Sequence, residues 1–197
     1  MTKIKFCGLT RAEDIFAVNE ILPEFVGFVF YEESRRYIAQ KNFLELKKNL
    51  SEKISSVGVF VDEKISIVAE IAKNLDFIQL HGSEDENYIS ALKNFTDKKI
   101  IKAFKIKTAD DLKIAENFLS DFVLLDGGAG DGKTFDWRIL KNFERKYFLA
   151  GGLNCENISD AIKILKPFVV DVSSGIETNN LKDAEKMKNF ARIVRRR

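Results

Sequence analysis

Two side chains stand where acid–base chemistry could be done. Cys7 closes the short run Lys3-Ile4-Lys5-Phe6-Cys7, and Asp126 closes the run Phe122-Val123-Leu124-Leu125-Asp126. If both runs are strands ending at the same mouth, an inward thiol and an inward carboxylate could serve as base and acid. The apolar run before Asp126 supplies a low-dielectric setting that favours a neutral, proton-donating carboxyl group. Strand alternation puts Lys3 and Lys5 on the side of Cys7, with Ile4 and Phe6 on the other. A cation below the thiol would bias it toward thiolate. The alternative for Cys7 is a buried, inert thiol, and for Lys5 a plain ion pair inside the fold.

A second group of residues suits an anion. Ala150-Gly151-Gly152-Leu153-Asn154 and Asp171-Val172-Ser173-Ser174-Gly175-Ile176-Glu177 each follow a short apolar run. Glycine lets backbone N–H groups approach an anion closely, and serine adds hydroxyl donors. A short helix beginning near Ser174 would direct its positive end at the same anion. Read alone, each glycine-containing segment is a tight turn; together they point to phosphate. His81, the lone histidine, sits between Ile78-Gln79-Leu80 and Gly82, where it is either structural or part of a binding site. Cys155 reads as a small residue tolerated at a helix start.

These residues need a frame to bring them together. Eight runs have strand character: Lys3–Cys7, Phe25–Phe30, Ile54–Val61, Phe77–Leu80, Ile100–Phe104, Phe122–Asp126, Tyr147–Ala150 and Phe168–Val172. Between them lie helical spacings. Ile65, Val68, Ala69 and Ala72 recur at i, i+3, i+4, i+7; Leu112, Ala115 and Leu119 follow a similar pattern. Asp183 opens a final helix carrying Ala184, Met187, Phe190 and Ala191. Strands alternating with helices imply parallel pairing. The count of eight, with no Pro/Gly/Ser-rich linker, favours an α/β fold: a single (β/α)8 TIM barrel over residues 1–197, compact beside the ~250 residues typical of such barrels. An open doubly wound sheet is the competing arrangement. Chemistry in a barrel belongs at the C-terminal strand ends, and polar and glycine residues gather there.

Composition narrows the function classes. Of 197 residues, 45% are hydrophobic and 31% charged, enough for a sizeable core. Lys plus Arg is 32 and Asp plus Glu is 30, so the formal charge of +2 argues against a nucleic-acid partner. The cluster Arg192, Arg195, Arg196 and Arg197 reads as a solvated helix end. Two cysteines and one histidine make neither a disulfide framework nor a zinc site rich in those ligands. No run approaches the ~20 apolar residues of a membrane span, and the first residues lack a signal-peptide core. The expectation is a cytoplasmic protein that does not bind a membrane, monomer or homodimer, acting on a small phosphorylated molecule.

The same segments resemble a known family. Lys5-Phe6-Cys7-Gly8-Leu9-Thr10, then Phe28-Val29-Phe30 with Ser34-Arg35-Arg36-Tyr37, are similar to the opening blocks of phosphoribosylanthranilate isomerases. Val57-Gly58-Val59-Phe60-Val61, Gln79-Leu80-His81-Gly82, Leu124-Leu125-Asp126 and Gly132-Lys133-Thr134-Phe135-Asp136-Trp137 follow in order. The glycine and serine segments after Ala150 and Asp171 close the series. The resemblance implies a (β/α)8 barrel without metal or cofactor, carrying out an Amadori rearrangement in tryptophan biosynthesis. It implies Asp126 as general acid, Cys7 as general base and Arg36 as the group holding the anthranilate carboxylate. His81, Gly151, Gly152, Asp171, Ser173, Ser174 and Gly175 would complete the substrate site. Arg35 stands where the family usually has proline, Cys155 where proline is frequent, and the segment Gly127 to Asp131 is shorter than in many relatives. A metal-dependent sugar-phosphate epimerase would need more histidines. The related histidine-pathway isomerase has aspartate where this chain has Cys7. A pure binding barrel would need neither Cys7 nor Asp126.

Overall fold

The structure, a computed structural model, describes residues 1–127 and 137–196. The motif over 132–136, Gly128 and Arg197 therefore lie outside the described residues. Eight parallel strands close into a barrel in chain order: β1 (Lys3–Cys7), β2 (Phe25–Val29), β3 (Ser55–Phe60), β4 (Phe77–Leu80), β5 (Lys99–Lys105), β6 (Phe122–Asp126), β7 (Tyr147–Ala150) and β8 (Val169–Val172). Closure is made by β8 lying back along β1, with Lys5 opposite Asp171. The open-sheet alternative is excluded.

The strands form where β-branched and phenylalanine residues run together, and they alternate as a closed sheet requires. Ile4 and Phe6 face outward; the Phe6 ring meets Phe190 of the last helix, α7 (Ala184–Arg195), at 6.2 Å. Inward residues fill the lower barrel with aromatic rings. Phe25, Phe77, Phe122, Phe148 and Phe168 pack edge-on, tilted or stacked, with centroids 5.4 to 6.5 Å apart. Lys3, Lys99 and Lys146 place their ammonium groups over these rings at the N-terminal end. The lower barrel is thus filled by aromatic rings with ammonium groups at its N-terminal rim, and the Lys5–Asp171 pair lies above them.

Among the described residues, α-helices pack outside in the order α1 (Ala12–Ile21), α2 (Gln40–Lys47), α3 (Ile65–Ala72), α4 (Glu86–Leu92), α5 (Ala109–Asn117) and α6 (Ile158–Leu165), before α7. Asp183 caps α7 as the sequence leads one to expect, accepting from the N–H groups of Glu185 and Lys186. Helix α5 stops at Asn117, so Leu119 falls outside it and is exposed. The C-terminal arginines are not all solvated. Arg195 donates to the carbonyls of Ile21 and Leu22 at 2.7 and 2.6 Å, capping α1. That placement satisfies acceptors which a helix end leaves open.

Two further elements differ from expectation. Between β6 and β7 the described residues hold a six-residue 3-10 helix, Trp137–Asn142, in place of an α-helix. After β8 no helix starts near Ser174. The chain instead makes a hairpin of β9 (Glu177–Thr178) and β10 (Leu181–Lys182), turned by Asn179 and Asn180 in the left-handed region. Asparagine tolerates that conformation, and paired positive φ values suit a two-residue hairpin turn. Among the described residues no helix is long and apolar enough to cross a membrane.

Candidate active site

The C-terminal ends of the strands surround a cavity of about 760 Å³. Cys7, Asp126, His81, Arg36, Asp171, Gly151, Gly152, Ser173 and Ser174 all line it, so nearly every residue singled out from the sequence meets at one mouth. Gly175 lies just behind, paired with Asn154 of the preceding strand-end loop. A second cavity of about 570 Å³ lies at the opposite end, between Met1, Arg145 and Phe168, away from all these groups.

Cys7 occupies the last position of β1, half-buried, with Lys5 two residues below it. The fully buried Lys5 ammonium pairs with Asp171 Oδ2 at 2.8 Å. Burial alone would pull the lysine's pKa down, but the Asp171 and Cys7 charges outweigh it, so the ammonium is held charged. The thiol behaves differently from the simple expectation. Burial pushes Cys7 above the ordinary thiol value, and the pull of Lys5 and Lys182 does not cancel that. Lys5 thus acts in the expected direction without winning.

The space for this arrangement comes from a residue that sequence reasoning passed over. Gly27 faces inward from β2, and a Cβ there would stand 2.7 Å from Cys7 Sγ and 3.2 Å from Lys5 Nζ. Glycine at an inward strand position marks a close approach. The alternation Phe25, Gly27, Val29 along β2 carries that signal.

Asp126 ends β6, with its carboxylate about one-fifth exposed. His81 Nε2 lies 3.7 Å from Asp126 Oδ2, and His81 Nδ1 lies 2.9 Å from the Gln79 amide nitrogen. His81 therefore belongs to the site wall. Gly151, at φ +97, packs so closely that a Cβ would come within 2.8 Å of Asp126 Oδ1.

The segments expected to hold an anion follow β7 and β8 and line the same cavity. Gly151 and Gly152 both have positive φ, which turns the chain sharply at the mouth. Ser173 Oγ donates to the Cys7 carbonyl at 3.0 Å, tying the β8 loop to the end of β1. Asp171 offers its second oxygen, Oδ1, buried and without a hydrogen-bond partner. Arg36 is already engaged: its Nε and Nη2 donate to Glu177 at 2.6 and 2.9 Å. Glu177 and Lys182 are contributions that sequence reasoning did not assign. Neighbouring Arg35, at the usual proline position, points to Glu177 and Asn180. Among the described residues no group of His, Cys, Asp and Glu side chains is arranged to hold a metal ion.

The chain as a whole is similar to known proteins. The family model for N-(5'-phosphoribosyl)anthranilate (PRA) isomerase matches residues 4–192. The N-(5'-phosphoribosyl)anthranilate isomerase of Caldanaerobacter subterraneus subsp. tengcongensis is 46% identical over 204 residues, covering 99% of this chain and 98% of its own. The crystal structure of phosphoribosyl anthranilate isomerase from Thermotoga maritima superposes with a TM-score of 0.92 at 34% identity, covering 100% of both chains. A phosphoribosyl anthranilate isomerase in complex with reduced 1-(o-carboxyphenylamino)-1-deoxyribulose 5-phosphate gives a TM-score of 0.90 at 33% identity, again covering 100% of both chains.

Proposed function

This chain belongs to the N-(5'-phosphoribosyl)anthranilate isomerase family, and on that premise we propose that it converts N-(5-phosphoribosyl)anthranilate to 1-(2-carboxyphenylamino)-1-deoxyribulose 5-phosphate in tryptophan biosynthesis. One observation supports the reading above the rest: Cys7 and Asp126, from the well-separated strands β1 and β6, line one cavity together with the glycine–serine loops of β7 and β8. Its volume of about 760 Å³ falls within the ~300–1,000 Å³ common for small-molecule sites.

In this reading the substrate phosphate rests on Gly151, Gly152, Ser173, Ser174 and Gly175, and the anthranilate carboxylate on Arg36. Asp171 Oδ1 accepts from a sugar hydroxyl, which satisfies an otherwise unpartnered buried atom. Asp126 gives its proton to the ribose ring oxygen. The C1–O bond breaks, and the nitrogen lone pair makes a cationic C1=N imine. Cys7 then takes the proton from C2. That electron pair forms C1=C2, and the imine π electrons return to nitrogen as an enolamine. Loss of the C2 hydroxyl proton and protonation at C1 give the ketone. Cys7 ends protonated and Asp126 deprotonated, and exchange with water restores both. The buried thiol is a reluctant base at rest; the cationic imine beside it favours thiolate at the step that needs it. His81 lies against Asp126 and helps fix its carboxyl group.

The test is an assay of the purified chain with freshly generated phosphoribosylanthranilate, following loss of substrate fluorescence. Turnover supports the proposal. A folded chain without turnover contradicts it.

A further inference from the structure

Glu177 takes part in none of these steps, yet its carboxylate is held by three cationic side chains. Its side chain is only 5% exposed and receives cations from two loops. Arg36 donates from Nε at 2.6 Å and Nη2 at 2.9 Å, Arg35 from Nη2 at 3.0 Å, and Lys182 from Nζ at 2.7 Å. Burial would push Glu177 up, but the hydrogen bonds from Arg36 and Lys182 hold it below the usual carboxylate range, so it is ionised. The contacts continue on the far side. Lys182 Nζ also donates to Ser173 O and Oγ, at 3.0 and 3.2 Å. Ser173 in turn holds the Cys7 carbonyl. The stem of Arg36 lies against Gly8, where a Cβ would come within 2.4 Å of Arg36 Cδ.

We propose that Glu177 is a positioning residue: it fixes the Arg36 guanidinium at a set distance from the β8 loop, and so matches the site to a ligand bearing a carboxylate at one end and a phosphate at the other. The inference rests on the function proposed above. The Nε–Nη2 edge of Arg36 is bound by Glu177, so the ligand carboxylate is met by the remaining donors, already aimed. An arginine held in advance loses less freedom on binding than a mobile one. The two arginines and Lys182 outnumber the single carboxylate, so the cluster stays attractive to an anion.

A double-mutant cycle of Glu177→Gln and Arg36→Ala tests this. The readouts are kcat, KM, and calorimetric binding of the reduced carboxyphenylamino-deoxyribulose 5-phosphate. Glu177→Gln should raise KM and weaken analogue binding about tenfold, the size of one charge-assisted contact, with kcat changed far less. On the Arg36→Ala background it should have almost no further effect on either. Equal effects on both backgrounds would overturn the proposal, since a purely structural role acts without Arg36. Unchanged KM and binding in Glu177→Gln would do the same. Glu177→Asp keeps the charge but shortens the reach, and it should also weaken binding; if Glu177→Gln does not fold, wild-type binding by Glu177→Asp overturns the idea. Wild-type protein that binds no analogue would remove the functional reading itself. Wild type that binds, beside a variant that binds equally well, would remove only the role of Glu177.

Discussion

Gly27 has no functional group, and its importance at the mouth comes from what it leaves out. Adding one methyl group there would put carbon within 2.7 Å of Cys7 Sγ. Gly27→Ala should therefore displace the thiol and lower kcat by at least about tenfold, because small misplacements at reacting atoms are costly. Steady-state kinetics beside a thermal melt checks this, and near-normal kcat in a stable variant would refute it. Lys5 carries a second prediction at this scale. The thiolate fraction grows as pH approaches the Cys7 pKa, and burial pushes that pKa above the ordinary thiol value. A thiol titration of the folded protein should thus reach its midpoint above the ordinary thiol range. Lys5→Met removes the downward pull and leaves Asp171 unopposed, so it should move that midpoint to higher pH. A thiol titration that does not move would eliminate Lys5 as a tuner. Cys7 and Asp126 were legible in the sequence because each ends an apolar strand. The link of Glu177 to Arg36 was not, since 141 residues separate the two, and Lys182 joins the site through Ser173 and Glu177, which only the hairpin brings against it.

At the level of elements, the strands followed from composition with small errors at their ends. The run at Ile54–Val61 is trimmed to Ser55–Phe60, and Phe25–Phe30 ends at Val29. The β9–β10 hairpin was not read at all. Two-residue strands have no room to show alternation, and only the pair Asn179-Asn180 marks the turn. The expected anion-binding helix at Ser174 fails because the chain folds into that hairpin instead. Its Glu177 then becomes available to Arg36. The acidic cap of α7 was plain from Asp183 preceding an apolar spacing. Asp183 accepts from two backbone N–H groups and from Thr178 Oγ1 at 2.7 Å, which also joins the helix to the hairpin. Asp183→Ala should cost about 1 kcal/mol of stability, as loss of such a cap commonly does. Denaturant unfolding measures it, and an unchanged midpoint would mean that the cap contributes nothing.

In the whole molecule, the barrel separates a dry floor from a polar mouth. The rings of Phe25, Phe122 and Phe148 fill the lower interior, and the buried Lys5–Asp171 pair lies between them and the mouth. Such a floor keeps the dielectric low beneath Cys7 and strengthens each charge interaction above it. Eight strand-like runs made this closure readable. The central claim is that Asp126 and Cys7 divide one reaction as acid and base. Measuring kcat of Cys7→Ala and Asp126→Ala against wild type, on phosphoribosylanthranilate, tests it most directly. The account predicts a fall of at least about 10²-fold for each folded variant, the low end for general acid–base groups. Near-normal turnover by either would contradict the assignment of that residue and the mechanism built on the pair.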